Sequence, residues 1–114
     1  MSDRLFPGQT LFVNQSLTSA DNRFRLTMQN DGNLVIYRTS DNRALWATGT
    51  QQSDVQRAVM QTDGNFVLYH VNNAPAWASN TAGSPGSYII MQTDGNLVIY
   101  KPIVPIWASN TVQH

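Results

Sequence analysis

Met28-Gln29-Asn30-Asp31-Gly32-Asn33-Leu34-Val35-Ile36-Tyr37 decides how this chain is read. The same pattern returns as Met60–Tyr69 and Met91–Tyr100, starting 32 and then 31 residues later. The first and third copies differ only in Asn30 against Thr93. Apolar residues recur at period two on both sides of the Asp-Gly pair: Phe24, Leu26 and Met28 before it, Leu34 and Ile36 after it. This is the pattern of two half-buried strands joined by a turn. Glycine supplies the positive φ that such a turn needs without steric cost. No stretch has a helical period.

The repeat is longer than the ten residues. Each copy is followed by a tryptophan that opens a similar phrase: Trp46-Ala47-Thr48-Gly49-Thr50, Trp77-Ala78-Ser79-Asn80-Thr81 and Trp107-Ala108-Ser109-Asn110-Thr111. A period of about 31 residues therefore fills nearly the whole chain, residues 1–114, as one domain with motifs at 29–37, 61–69 and 92–100. Three or four short strands per repeat predict roughly ten to twelve in all. Pro75, Pro102 and Pro105 fall between tyrosine and tryptophan, where turns or sheet edges tolerate them. Closure about an axis would bring the three indoles to a shared centre, and they are read as core.

Composition narrows the function. Seven basic residues balance seven acidic ones, and the basic residues are scattered. Nucleic acid or an anionic membrane would call for a basic patch, so neither is expected as a partner, nor is membrane insertion. All the acids are Asp, and there is no cysteine, which removes disulfides and Cys-based zinc sites. The first residues lack the apolar run of a signal peptide, and no segment has the length of a membrane span. A cytoplasmic protein, released if at all by a non-classical route, is the expectation. Asn14-Gln15-Ser16 fits a glycosylation sequon and is read as chance.

Folding needs the apolar and turn positions to recur, yet Gln29, Asp31, Asn33 and Tyr37 recur as well. On the strand after the turn, Leu34 and Ile36 face one side, while Asn33, Val35 and Tyr37 face the other. The turn folds Gln29 back beside them. Two amides, a carboxylate and a phenol suit a neutral polyol: the carboxylate accepts from hydroxyls, and amides donate and accept at once. Val35 offers a small apolar surface to the C–H face of a sugar ring. The bland alternative is that Asp31 and Asn33 merely pin the turn.

These residues resemble the mannose-binding signature Gln-x-Asp-x-Asn-x-Val-x-Tyr of the monocot mannose-binding lectins, also called bulb-type or snowdrop-type lectins. The resemblance spans essentially the full chain. It implies an all-β fold, the β-prism II, with three four-stranded antiparallel sheets about a pseudo-threefold axis. It implies calcium-independent binding of α-linked mannose, with no cofactor, by Gln29, Asp31, Asn33, Val35 and Tyr37 in the first site. Gln61, Asp63, Asn65, Val67 and Tyr69 would form the second, and Gln92, Asp94, Asn96, Val98 and Tyr100 the third. Carried over by position, Asp31 and Asn33 would hold the 2-hydroxyl, Gln29 the 3-hydroxyl and Tyr37 the 4-hydroxyl, with Val35 against the ring carbons. Mannose-containing glycans, multivalent recognition in host defence, and a homodimer are the further expectations; the family's dimers often exchange C-terminal strands, and the short tail Trp107–His114 leaves that open. The plant members usually carry a signal peptide and a disulfide with one Cys in the first motif's turn, where this chain has Gly32. The chain is similar instead to cysteine-free members without a leader.

Two other functional classes fit the sequence less well. A prism that has lost sugar binding would show degraded signatures, whereas all three are intact. A glycosidase needs two suitably spaced carboxylates, but Asp31, Asp63 and Asp94 lie in separate repeats. His70 and His114 have no evident nucleophile partner, and the Asp-x-Asn spacing lacks the rest of a calcium loop. No enzyme is expected.

Overall fold

A computed structural model of the chain describes residues 2–102 and 104–113. It contains twelve β-strands among the described residues, β1 (Arg4–Leu5), β2 (Thr10–Phe12), β3 (Ser16–Thr18), β4 (Phe24–Met28), β5 (Leu34–Arg38), β6 (Arg43–Ala47), β7 (Arg57–Met60), β8 (Phe66–Tyr69), β9 (Pro75–Ala78), β10 (Tyr88–Met91), β11 (Leu97–Lys101) and β12 (Val104–Ala108). They form three four-stranded antiparallel sheets, in the orders β3-β4-β5-β6, β2-β7-β8-β9 and β1-β10-β11-β12. Each motif occupies the hairpin at the middle of one sheet.

Each 31-residue repeat supplies three strands of its sheet, and the fourth comes from elsewhere. The N-terminal segment donates β1, β2 and β3 to three different sheets. A second, shorter repeat explains how. Leu5-Phe6-Pro7-Gly8-Gln9-Thr10 is echoed by Leu11-Phe12-Val13-Asn14-Gln15-Ser16, and then Leu17 follows. Gly8 and Asn14 turn the chain with φ of 87° and 67°. The Gln9 and Gln15 side chains accept from the Phe6 and Phe12 amides at 2.8 and 2.9 Å. Six residues are one strand and one turn, so each leucine enters the next sheet: Leu5 opposite Ile89, Leu11 opposite Ala58 and Leu17 opposite Leu26. All three leucines are buried.

The inward faces make one core. Phe24, Leu26, Met28, Leu34 and Ile36 of the first sheet are at most 1 % exposed, as are Ala58, Met60, Phe66 and Leu68 of the second and Ile89, Met91, Leu97 and Ile99 of the third. Trp46, Trp77 and Trp107 stand opposite Ile36, Leu68 and Ile99 and so also point inward. Their rings meet edge to face, with centroids 5.7, 5.7 and 5.8 Å apart at 77°, 70° and 82°. That geometry sets the positive edge of one indole against the negative face of the next. The indoles do converge as the repeat predicts, but they are partly buried and pack against the core rather than filling its interior.

Trp77 also meets Phe66 edge to face at 6.4 Å, so it holds more of this cluster than its two counterparts. Trp77→Ala is expected to cost about 3 kcal/mol, at the low end for a large aromatic because of its partial exposure. Thermal unfolding reads this as a fall in Tm of about 12 °C for a domain of this size.

Pro75 opens the edge strand β9 and Pro105 lies inside the edge strand β12, where no neighbour requires their missing N–H. Strand β12 pairs with β11 of its own chain, Ile99 opposite Trp107 and Val98 opposite Ala108, so the tail completes its own sheet in this structure. His114, the last residue of that tail, lies outside the described residues.

Candidate carbohydrate-binding sites

In each motif the turn is a three-residue loop rather than a two-residue one. Gly32 N donates to Gln29 O at 3.1 Å, and Gln29 N donates to Asn33 O at 2.9 Å. Gly32 has φ of 92°, while Asp31 is absent from the positive-φ residues, which excludes the mirror-image two-residue turn. Asp31 bends its side chain back so that Oδ1 accepts from Asn33 N at 2.9 Å. Asp63 and Asp94 do the same to Asn65 N and Asn96 N, at 2.9 and 3.0 Å.

The closing phrases lock the other half of the site. Asn33 Oδ1 accepts from Gly49 N at 3.1 Å and Thr50 N at 3.2 Å, with the Thr48 hydroxyl 3.3 Å away. Thr50 Oγ1 donates to Gly32 O at 2.6 Å. The same pattern joins Ser79 and Thr81 to Asn65 and Gly64, and Ser109 and Thr111 to Asn96 and Gly95. The residue between hydroxyls sits in left-handed backbone, Gly49 at φ 73°, Asn80 at 61° and Asn110 at 60°, which is why glycine or asparagine stands there. The hydroxyl residues of these phrases are therefore positioning residues of the site. Recurrence of Trp-Ala-Ser/Thr-x-Thr was their sequence signal, but nothing in the sequence tied it to the motif's asparagine.

This wiring fixes what each side chain presents outward. The Asn33 carbonyl oxygen is saturated, so its NH2 group is left to donate. One oxygen of Asp31 is committed to the turn, so the other is left to accept. A donor and an acceptor thus stand side by side, matching a hydroxyl that accepts and donates at once. Gln29 Nε2 donates to the Tyr37 hydroxyl, and Gln61 and Gln92 donate likewise to Tyr69 and Tyr100, the last at 2.5 Å. Each pair keeps the glutamine carbonyl as an acceptor and the phenol proton as a donor. Pinning the turn does not exhaust these groups: Asp31 and Asn33 each spend one polar atom on the local framework and keep another.

Val35, Val67 and Val98 do lie on the outer face, apart from the central core cluster, but each is only 3 % exposed. They are a covered floor between the Gln–Tyr pair and the Asp–Asn pair rather than an open wall. A strand irregularity falls between Ile36 and Tyr37, Leu68 and Tyr69, and Ile99 and Tyr100. The extra residue lies on the facing edge strand, Leu45, Ala76 or Ile106, opposite the motif tyrosine in every repeat. In the second repeat Gln61 and Asp63 line an open cleft of about 450 Å³ with Gly8, Val59 and Thr62. A larger cleft, of about 560 Å³, runs along the N-terminal strands and includes no motif residue.

No family model matches the sequence, and the search of curated proteins found no match. Solved structures do match. A lectin of Marasmius oreades superposes with a TM-score of 0.89 at 28 % identity, covering 97 % of this chain and 92 % of that one. Monomeric monocot mannose-binding lectins from Gastrodia elata reach a TM-score of 0.85 at 41 % identity, over 98 % of this chain and 100 % of that one. The chain belongs to the monocot mannose-binding lectin family. The mannose-specific snowdrop (Galanthus nivalis) agglutinin, solved with methyl α-D-mannoside, gives 0.79 at 39 % identity over 99 % and 100 %. This family membership makes the fold a β-prism II, and the bulb-type lectin is a carbohydrate-binding protein, not an enzyme.

Proposed function

We propose that this bulb-type lectin binds terminal α-mannose without calcium at three sites per chain, and recognises mannose-rich glycans by multivalency in a defence role. One observation carries the reading. In all three repeats the turn wiring leaves an aspartate oxygen and an asparagine NH2 facing outward beside a Gln–Tyr pair. The axial 2-hydroxyl of mannose answers such a donor–acceptor pair. Glucose, with an equatorial 2-hydroxyl, would leave it unmatched, and an unmade bond at a desolvated group costs more than a made one gains. Each site has one free carboxylate oxygen, far from the six to eight oxygens that calcium takes.

At about 0.5–1.5 kcal/mol per hydrogen bond, one sugar binds near millimolar, roughly −4 kcal/mol. Three sites on one chain raise the avidity for a branched glycan by orders of magnitude, and a homodimer would double the valency. The protein is expected to be retained on mannose agarose and eluted by methyl α-mannoside with no chelator present. Titration calorimetry should give a stoichiometry near three, unchanged by EDTA. Absence of retention on densely mannosylated resin at high protein concentration would sink the reading.

A further inference from the structure

The three sites differ at one register position. The residue opposite the motif tyrosine is Arg25 in the first sheet, Arg57 in the second and Tyr88 in the third. The Arg25 guanidinium lies 4.9 Å from the centroid of the Tyr37 ring, and that of Arg57 lies 5.0 Å from the Tyr69 ring. Each is held a second time by an asparagine of the adjoining hairpin loop. Arg25 Nη1 and Nη2 donate to Asn42 Oδ1 at 3.3 and 3.4 Å, and Arg57 Nη2 donates to Asn73 Oδ1. Both asparagines occupy left-handed backbone, at φ 55° and 70°.

Neither guanidinium forms an ion pair among the described residues, whereas Arg4, Arg23 and Arg38 are paired with Asp3, Asp21 and Asp41. The motif carboxylates Asp31 and Asp63 form no salt bridge with them among the described residues. Asn33 and Tyr37 are four positions apart, about 13 Å along an extended strand, with Asp31 beyond Asn33. The first and second sites therefore run from a carboxylate end to a fixed cationic end. In the third, Tyr88 stacks on Tyr100 at 5.8 Å, and Phe6 adjoins Tyr88 at 6.3 Å, so that end is aromatic.

We infer that the first and second sites take mannosides carrying an anionic substituent, such as a phosphate ester, with Arg25 or Arg57 receiving the anion, and that the third does not. The inference rests on the mannose reading above. A guanidinium presents a planar fork of donors that matches phosphate oxygens, and with one or two of its five N–H groups on asparagine the others are left to donate. The motif would engage the 2-, 3- and 4-hydroxyls, which leaves positions 1 and 6 for the substituent.

The test titrates the whole protein with methyl α-mannoside, its 6-phosphate, α-mannose 1-phosphate and inorganic phosphate. At least one phosphorylated sugar should bind two of the three sites about tenfold more tightly than methyl α-mannoside, and high salt should erode the gain. Arg25→Gln with Arg57→Gln should abolish that gain while methyl α-mannoside binding stays within twofold. Tyr88→Arg should raise the number of phosphate-preferring sites from two to three. Equal affinity for the neutral and phosphorylated sugars, or a preference that survives the double arginine variant, would overturn the inference. So would inorganic phosphate binding as tightly as the phosphorylated sugar. Failure of methyl α-mannoside itself to bind would instead bring down the mannose reading.

Discussion

Gly64→Ala is expected to destabilise the domain by about 4 kcal/mol, from forcing a non-glycine residue into a left-handed conformation and from direct collision. Gly64 has φ of 95°, and a Cβ there would strike the backbone of Ser84 and come within 2.9 Å of Thr81 O. The struck atoms are main chain, so no side chain can swing away. They also form the clamp on the site, since Gly83 N and Ser84 N donate to Asp63 O at 2.9 and 3.0 Å. Relief by backbone movement would therefore displace Asp63. Thermal unfolding should show a loss of about 15 °C, and any folded remainder should bind mannose at two sites. Gly49 is the contrast: nothing lies within 4 Å of its Cβ position, so Gly49→Ala meets only the positive-φ strain, at φ 73°.

The second large effect is on binding. Asp31→Asn, Asp63→Asn and Asp94→Asn combined are expected to abolish retention on mannose agarose. Asparagine keeps the oxygen that accepts from the amide two residues on, so the turn survives. It replaces the free carboxylate oxygen with an NH2 group. Losing a charge-assisted bond and gaining a mismatched donor costs about 1.5–3 kcal/mol per site, or roughly 10- to 150-fold. On millimolar sites that is the end of measurable binding. Alanine would be a poorer probe, because it also removes the turn bond. Circular dichroism and Tm within a few degrees of the parent would separate a lost ligand contact from a lost fold.

Much of the architecture is legible in the chain because its signals are local. Period-two alternation places Leu34 and Ile36 inward, and their complete burial follows. The ten-residue repeat, present three times, fixes the number of sheets. The short repeat that carries Leu5, Leu11 and Leu17 was equally present in the sequence. Six residues are too few to read as a fold repeat until each copy is seen to enter a different sheet. Val35 is the converse case: alternation assigns its face correctly, but its exposure of only 3 % is set by what the assembled fold packs around it. The tryptophans converge as the repeat implies, yet how deeply they sit depends on how the three sheets close.

Residue types, their period and their triplication are properties of the chain, and they suffice for an all-β prism with three polar surfaces. The valence of each polar group is a property of the assembled fold. Whether the Asn33 carbonyl is free or spent depends on Thr50 N, which lies seventeen residues away in sequence and 3.2 Å away in space. The same holds for the charge of each site. Arg25, Arg57 and Tyr88 become comparable only through the strand register that sets each one opposite a motif tyrosine. Hydrogen bonds and charges act over a few ångströms, and those distances exist only once strands distant in sequence have been paired.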